Sequence, residues 1–274
     1  MYGASWQCSN AVVEIKNKPR PLKPPSVAES LPLYRQVKRE LQKIIEAGHY
    51  GPGQPLPSEA ALALALQVSI GTLRHAVDEL VHEHVLVRRQ GKGTFVAPHN
   101  NARFMFQFFH VEPRWDPDDD TPREQEFPEI ACIGFARDKA SEVEARALRI
   151  KSGEAVFRIE NKLALRGRVV VHDRLALSAA MFRNLTEKRF VERPSTVYAL
   201  YQTDFGITVL RAQERARAVA AGKAVARILA IPAGDPVMEV HRLALTFGDK
   251  PVEYRVSTID TRAHDYVSVL SKAS

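Results

Sequence analysis

Hydroxyl, cationic and imidazole side chains are concentrated at the start of one predicted helix. Ser69 is a good N-cap, because its hydroxyl can accept a free backbone N–H of the first turn. Thr72, Arg74 and His75 follow within two turns. The opposite face is an apolar stripe at helical spacing: Leu73, Ala76, Val77, Leu80 and Val81. Such groups meet phosphates and bases when a helix lies in the DNA major groove, although a surface helix of any globular domain would look the same.

The elements around this helix decide between those two interpretations. Apolar residues at helical spacing predict a helix that opens at Pro32 and ends at Gly48. Ser58 is predicted to cap a second helix that runs to Leu66, and Gln67 links it tightly to Ser69. Two short helices joined by a few residues have helix-turn-helix geometry.

A short hairpin is predicted to follow the helix-turn-helix as a wing. Residues 86–89 and 94–96 form its strands, and its basic, glycine-rich tip is Gln90, Gly91, Lys92 and Gly93. Glycine at the tip lets the backbone approach a duplex closely. A phosphate-binding loop is excluded at residues 91–94, because the second glycine and the following helix are missing.

Residues 32–97 resemble the winged-helix DNA-binding domain of the GntR family of bacterial transcription regulators. The matching residues are Pro32-Leu33-Tyr34, Gly48, Pro52-Gly53, Leu56-Pro57-Ser58-Glu59, Val68-Ser69, Thr72-Leu73-Arg74, Ala76, Leu80 and 88–96. The resemblance implies that Ser69 and Thr72 hold phosphates, that Arg74 reads bases and that Gln90 and Gly91 enter the minor groove. The predicted DNA-binding set is Arg35, Ser58, Ser69, Ile70, Thr72, Arg74, His75, Gln90, Gly91, Lys92 and Gly93.

Two positions depart from the family pattern. Family members usually carry arginine where this chain has Ala60 and Ile70. Both changes remove a cation that reads bases, and Ile70 could instead contact a thymine methyl group. The preferred operator is therefore expected to differ from the common family site.

The second part of the chain mixes strands and helices, which predicts an α+β domain over residues 103–270. Two glycine-turn hairpins are predicted, over residues 155–177 and 236–260. Further strands are expected over 103–111 and 208–220, and helices over 139–148, 179–187, 194–201 and 221–229. With Ser195-Thr196-Val197-Tyr198, residues 224–229 and Pro251-Val252-Glu253-Tyr254, this region resembles the UTRA effector domain of the HutC-like GntR branch, with its chorismate-lyase-like fold. Residues 1–31 are predicted to be a flexible tail, and 98–102 a linker.

Polar residues interrupt two apolar rows in this second domain. Asn161 and Asp173 each stand among apolar residues of one strand face. They either satisfy each other and the backbone or line a pocket, and the sequence favours neither. The resemblance adds Thr196, Tyr198 and Glu253 as effector contacts. The arginine pair with which similar domains hold anionic or sugar effectors is absent near Asn161 and Leu163.

Several cations are candidates for an anion clamp, although a solvated basic face explains them equally well. They are Arg158, Lys162, Arg174, Arg242, Arg255 and Arg262, of which Arg174 is placed in the predicted effector site.

Composition limits the remaining classes of function. Lys and Arg outnumber Asp and Glu by 39 to 32, a net charge of +7 that suits a polyanionic partner. The two cysteines provide no disulfide framework or zinc site, and no apolar run reaches the roughly 18–20 residues of a membrane span. Asp118, Asp119 and Asp120 are expected to be solvated. We expect a cytoplasmic protein without metal or cofactor.

The sequence thus predicts an N-terminal winged helix-turn-helix and a C-terminal α+β UTRA domain. We expect a transcription regulator that binds DNA sequence-specifically and acts as a repressor. A small-molecule effector bound in the C-terminal domain is expected to control its operator binding. A homodimer on an inverted-repeat operator is expected, since one recognition helix reads only a half-site. The alternatives are a small-molecule enzyme of chorismate-lyase-like fold and a nonspecific DNA-binding protein.

Overall fold

Three helices and a hairpin form the N-terminal unit in the computed structural model, which describes residues 31–99, 108–114 and 126–268. The predicted tail, most of the linker and the Asp118–120 run lie outside these residues. The elements are α1 (Leu33–Glu46), α2 (Glu59–Leu66), α3 (Ile70–His82), β1 (Leu86–Arg89) and β2 (Gly93–Val96). The predicted helix-turn-helix and wing are confirmed.

Local sequence explains where these helices begin and end. The hydroxyl oxygens of Ser58 and Ser69 accept the backbone N–H of Ala61 and of Thr72, which caps α2 and α3. Gln67 ends α2 in the left-handed conformation, with φ of 54°. The apolar stripe of α3 is buried in the unit's core, as predicted.

The wing is held by the turn that precedes α2. The Gly53 N–H donates to the Val96 carbonyl at 2.9 Å, and the Leu56 N–H donates to the Thr94 carbonyl at 2.8 Å. The segment before α2 therefore acts as a third strand beside β2 and fixes the wing relative to the helices.

A six-stranded antiparallel sheet dominates the C-terminal unit, with the strand order β4-β5-β6-β9-β8-β7, while β3 and β10 pair separately. The strands are β3 (Val111–Pro113), β4 (Glu129–Lys139), β5 (Ala155–Leu165), β6 (Arg168–Ser178), β7 (Arg211–Ala220), β8 (Pro236–Thr246), β9 (Lys250–Ile259) and β10 (His264–Tyr266). The helices are α4 (Glu142–Leu148), α5 (Glu187–Val191), α6 (Val197–Phe205) and α7 (Lys223–Leu229).

Both predicted hairpins are confirmed. Arg166 and Gly167 join β5 to β6 with φ of 50° and 74°, the pair of positive angles that a type I′ turn requires. A short turn, Phe247–Asp249, joins β8 to β9.

Three secondary-structure predictions are corrected. Residues 179–186 are turns rather than a helix: Asn184 is left-handed and breaks the helical path, and Thr186 caps α5 instead. In the predicted strand over 103–111, strand structure begins only at Val111, and residues 103–107 lie outside the described part. The predicted helix over 139–148 begins at Glu142, because Lys139 still belongs to β4.

One face of the sheet carries the main core, where α6 packs with Phe182 and Phe190. The N-terminal core also includes a C-terminal residue: Phe247, from the β8–β9 turn, is 8% exposed and packs in the cluster of α1 and α3, beside Leu210. The two units therefore share an apolar contact.

None of the described helices is by itself long and apolar enough to cross a bilayer. Helices α2 and α3 reach that length and apolar character only together, and they are bent by 111° relative to each other.

Candidate DNA-binding surface and buried polar cluster

The start of α3 presents the predicted phosphate-binding hydroxyls. Ser69 Oγ lies 3.1 Å from the Thr72 backbone nitrogen and 2.9 Å from Thr72 Oγ1, so the two hydroxyls are adjacent. Ile70, next to them, is 44% exposed. A large apolar side chain at a helix start, exposed beside two hydroxyls, can contact a thymine methyl group while the hydroxyls bind phosphate.

Arg74 is oriented by a carboxylate that sequence reasoning missed. Its Nε donates to Glu59 Oε2 at 2.6 Å, and the side chain is 63% exposed. The other oxygen of Glu59 lies 3.5 Å from Arg88, which also pairs with Asp78 at 2.5 Å. Glu59 therefore holds two arginines, one from α3 and one from the wing, at one surface.

Ring stacking joins α1 to α3. The His75 and Tyr34 rings stack with centroids 3.9 Å apart and an interplanar angle of 8°. Arg35 Nε donates to the Tyr34 hydroxyl at 3.0 Å. Tyr34 thus contacts both His75 and Arg35 and positions them at the surface.

The wing tip is exposed and its glycines adopt conformations that other residues avoid. Gly91 and Gly93 have φ of 70° and 103°. The Lys92 N–H donates to the Arg89 carbonyl at 2.9 Å, which closes the turn, and the Arg89 guanidinium lies 4.6 Å from the centroid of the Phe95 ring. The structure brings the tip, Ser58 and Glu59 to the rim of one cleft between the wing and α2.

A cluster of charges lies buried against the sheet of the C-terminal unit. Glu253, fully buried, accepts hydrogen bonds from Tyr198 at 3.2 Å and from Tyr201 at 2.6 Å. Arg255 donates to both oxygens of Glu253, at 2.9 and 3.1 Å. Arg255 also donates to Asp173 Oδ2 at 3.1 Å.

Burial and charge keep the two tyrosines and Arg255 of this cluster protonated. Burial and the negative charge of Glu253 raise the pKa of both Tyr198 and Tyr201, so each phenol remains a donor. Burial alone would lower the pKa of Arg255, but the carboxylates of Glu253 and Asp173 hold that pKa well above its ordinary value. Arg255 is therefore a charged guanidinium that lies between Glu253 and Asp173.

A second buried arginine is neutralised nearby. Arg242 lies opposite Arg255 on the neighbouring strand and donates to Glu214, which also accepts from the Tyr266 hydroxyl. Burial acts to raise the pKa of Glu214, but the Arg242 charge and the Tyr266 hydrogen bond lower it overall.

Two oxygens at this cluster lack a partner among the described residues. Asn161 and Asp173 are each 2% exposed and face each other on β5 and β6, and Oδ1 of each accepts no hydrogen bond. A cavity of about 20 Å³, room for about one water molecule, lies beside Asp173. It is lined by Phe108, Phe109, His110, Val111, Asp173, Arg242, Arg255 and Tyr266, among others.

The structure does not bring all six predicted effector residues together. Arg174 is exposed on the opposite face of β6 from Asp173. Thr196 is buried, but its hydroxyl caps α6 by accepting the Ala199 N–H. Asn161, Asp173, Tyr198 and Glu253 do converge at one cluster.

A glutamine of α6 connects this cluster to the N-terminal unit. Gln202 is buried; its Nε2 donates to the Ala97 carbonyl at 3.1 Å, and its Oε1 accepts the His99 N–H at 2.9 Å. The neighbouring Tyr201 holds Glu253. One helix therefore contacts both the buried cluster and the chain leaving the wing.

Comparisons with known proteins agree with this two-part architecture. Residues 33–96 match the gntR family of bacterial regulatory proteins, and residues 125–265 match the UTRA domain. A probable fructoselysine utilization operon transcriptional repressor of Escherichia coli O157:H7 is 30% identical over 237 residues, which cover 85% of this chain and 91% of that protein. The chain belongs to the gntR family of bacterial regulatory proteins, with a UTRA domain.

Two further GntR-family relatives support the assignment. The histidine utilization repressor of Pseudomonas aeruginosa is 27% identical over 216 residues, 77% of this chain and 80% of that one. The ligand-binding domain of a GntR-family regulator from Bordetella bronchiseptica superposes with a TM-score of 0.55 and 31% identity, and covers 60% of this chain and 98% of that domain. The predictions of a transcription regulator rather than an enzyme, and of its fold class, are confirmed.

Some residues of this GntR-family site that the sequence prediction missed do have a signal in their spacing. Tyr201 and Gln202 follow Tyr198 by three and four positions on one helix, so they share its face. Arg255 follows Glu253 by two on one strand, so both point to the same side. Glu59 had no such signal, because it meets Arg74 only through the packing of α2 against α3.

Proposed function

We propose that this GntR-family regulator is a cytoplasmic repressor that binds a two-fold DNA operator as a homodimer and is released by a small effector. The observation that carries the proposal is the position of α6. This helix contacts the buried polar cluster through Tyr198 and Tyr201, and the segment that leaves the wing through Gln202.

The exposed surface of α3 and the wing supports DNA binding. Arg74 offers a guanidinium fork that suits guanine, while Ser69 and Thr72 offer hydroxyls to phosphate. The wing tip with Lys92 supplies a cation beside two glycines whose backbone can approach the minor groove. A single such unit reads a half-site, which is why we infer a dimer and an inverted repeat.

The small cavity supports effector control. It lies between the charged cluster and the segment Phe108–Phe109–His110–Val111, which follows the wing in the chain. A ligand larger than water displaces that segment when it enters. The effector then favours an arrangement of the two recognition helices that no longer fits the operator.

Whether the effector relieves or strengthens repression is inferred from the relatives. The two curated relatives compared above are described as repressors of a fructoselysine utilization operon and of histidine utilization. By that likeness, we infer that the effector relieves repression of genes that consume it.

Selection of bound sequences from a random DNA pool by the full-length protein tests the proposal. We expect one inverted repeat to be enriched, and specific binding roughly 10³-fold or more tighter than binding to random DNA at physiological salt. Light scattering of the complex should give two chains per duplex. Enrichment of a single half-site, or one chain per duplex, would contradict the dimer; binding without enrichment would favour the nonspecific alternative.

A further inference from the structure

A groove lies on the face of the sheet opposite the buried polar cluster. Its volume is about 660 Å³, and its two walls are formed by α4 and the edge strand β7. The floor belongs to β8 and β9, where Leu243 lies directly opposite Tyr254. Strand alternation places these two side chains on the other face from Arg242 and Arg255. Clefts of this volume are typical of sites for small molecules, so the groove has room for a metabolite.

Both walls of the groove carry arginines. Arg146 and the C-cap residue Arg149 line it from α4. Arg215 and Arg217 line it from β7, where they are two positions apart and share one face of the strand. None of the twelve described residues that line the groove is acidic. Positive charge is therefore concentrated on both sides of one space.

One of these arginines is fixed by a hydrogen-bonded chain that reaches the floor. Arg217 Nε and Nη2 donate to Glu239 Oε1 at 3.0 and 2.5 Å, and the same oxygen lies 2.8 Å from His241 Nε2. His241 Nδ1 lies 2.6 Å from the Tyr254 hydroxyl. Burial and the charge of Glu239 raise the pKa of Tyr254, so this phenol stays neutral. The floor is thus held in place without presenting a negative charge of its own to the groove.

The other three arginines carry charge that the described residues do not balance. Arg146, Arg149 and Arg215 form no ion pair in the described part of the chain. Arg149 donates one N–H to the backbone carbonyl of Asp249 at 3.0 Å, which restrains its guanidinium without neutralising it. Like charges on neighbouring positions repel each other, so an anion that enters the groove relieves this repulsion.

Charge and shape together indicate the class of anion. A phosphate monoester carries a charge of roughly −1.5 to −2 at pH 7, so two phosphate groups are enough to balance three arginines. The planar guanidinium binds phosphate oxygens through two parallel hydrogen bonds. Between the walls, Ala147, Leu243 and the Tyr254 ring offer an apolar surface to an uncharged organic body. Inorganic phosphate would leave that surface uncovered.

We propose that the groove between α4 and β7 binds a small organic anion with two phosphate groups. The arginines of both walls hold the phosphates, and the organic part packs on Leu243 and Tyr254. This site is separate from the buried polar cluster, so it is a second ligand site beyond the effector control proposed above. Nucleoside diphosphates and sugar bisphosphates share this chemistry, and the choice of probes distinguishes them.

Calorimetry on the full-length protein at physiological salt tests the site. The probes are ADP, GDP and fructose 1,6-bisphosphate, with adenosine and inorganic phosphate as the separate parts. The variants are Arg146→Gln on the α4 wall and Arg215→Gln on the β7 wall, two exposed side chains on which the fold should not depend. Arg227→Gln is the matched control, because Arg227 is the exposed fifth residue of α7, as Arg146 is of α4, and does not line the groove.

We expect at least one of the three bisphosphate probes to bind at least about tenfold more tightly than adenosine or inorganic phosphate. Its affinity should fall roughly tenfold in each wall variant, because a charge-assisted hydrogen bond is lost, and by less than about twofold in Arg227→Gln. Tighter binding of ADP or GDP than of fructose 1,6-bisphosphate identifies a nucleoside diphosphate as the ligand, and the reverse order identifies a sugar bisphosphate.

Four results would overturn the proposal. Binding of no bisphosphate above the level of inorganic phosphate removes the ligand class, and an equal loss of affinity in Arg227→Gln shows that only overall charge acts. Weaker operator binding by the wall variants without any ligand assigns these arginines to DNA instead. A changed assembly mass of the wall variants in light scattering assigns them to a contact between copies of the chain.

Discussion

At the scale of single residues, Arg74 is the side chain best placed to read a base, since it is exposed at the start of α3. We expect Arg74→Ala to weaken operator binding by about 1–3 kcal/mol and to relax the preference at one base pair. Fluorescence anisotropy on the operator and its single-base variants measures both effects. Lys92→Ala is the contrasting variant, because it should weaken binding to all DNA sequences equally. It should also reduce by about one the slope of the logarithm of the binding constant against the logarithm of the salt concentration. Unchanged selectivity in Arg74→Ala would refute base reading by this side chain.

Glu59 restrains two arginines and places a negative charge on the same surface. We expect Glu59→Gln to raise affinity for random DNA, because it removes repulsion of phosphate and frees Arg74 and Arg88. The ratio of operator to random-DNA affinity should fall, as measured by competition binding. Glu40→Gln, which removes an equal charge paired with Lys43 on α1, is the control and should leave that ratio unchanged.

Glu144 gives the stability of α4 a dependence on pH. Its hydrogen bond with Arg158 lowers its pKa from an ordinary 4.5 to about 2, against the effect of burial, and it also accepts the Ser141 N–H of the capping box. A carboxylate whose pKa is depressed in the folded state stabilises the fold at pH values above its unfolded pKa. It loses that contribution as the pH falls toward its folded pKa, which here is about 2.

We therefore expect Glu144→Gln to lower the free energy of unfolding by about 1–2 kcal/mol at neutral pH. The difference should shrink below about pH 4.5, which denaturant titrations at several pH values measure. The exposed Glu142→Gln is the control. A difference that persists unchanged down to about pH 2 would mean that the charge of Glu144 contributes nothing.

At the scale of elements, caps and periodicity predicted most of the fold. Ser58 and Ser69 marked helix starts, and Gly167 marked a hairpin, because each acts through its own backbone. β4 was missed because it is an edge strand, largely exposed, whose alternation is shifted by a bulge between Cys132 and Gly134. Residues 179–186 imitated a helix because Phe182 and Leu185 are buried from successive turns.

The site was only half predictable for a similar reason. Asn161 and Asp173 stood out because each interrupts an apolar row on its own strand. The partners of these groups come from elsewhere: Arg255 reaches Asp173 across 82 positions, and Glu59 meets Arg74 across 15. Contacts between different elements leave no spacing pattern in a single sequence.

The connection made by α6 can be tested at the same scale. We expect Gln202→Leu to speed hydrogen exchange at the His99 amide, because that N–H loses its acceptor. Mass spectrometry of a peptide spanning residues 97–99 measures the rate. Thr203→Val, on the exposed side of the same helix, is the control. Unchanged exchange in Gln202→Leu would show that this glutamine does not hold the segment.

At the scale of the whole molecule, Phe247 makes the stability of the N-terminal unit depend on the C-terminal unit. We expect Phe247→Ala to destabilise the winged helix by about 3–5 kcal/mol, because a buried ring is removed from its core. Hydrogen exchange of the α3 amides in the full-length chain measures this loss. Phe182→Ala, in the other core, should leave α3 exchange unchanged; equal effects would mean that the two cores unfold as one.

The same contact also sets an energetic threshold for switching. Separating Phe247 from its cluster costs a few kcal/mol, and moving a population from 1:99 to 99:1 takes a preference of about 5.5 kcal/mol between two arrangements. A ligand that binds only one arrangement stabilises it by about 2.7 kcal/mol at a concentration of 100 Kd and by about 4.1 kcal/mol at 1,000 Kd. If an effector binds only the separated arrangement, the size of this one aromatic contact decides how weakly it can bind and still act.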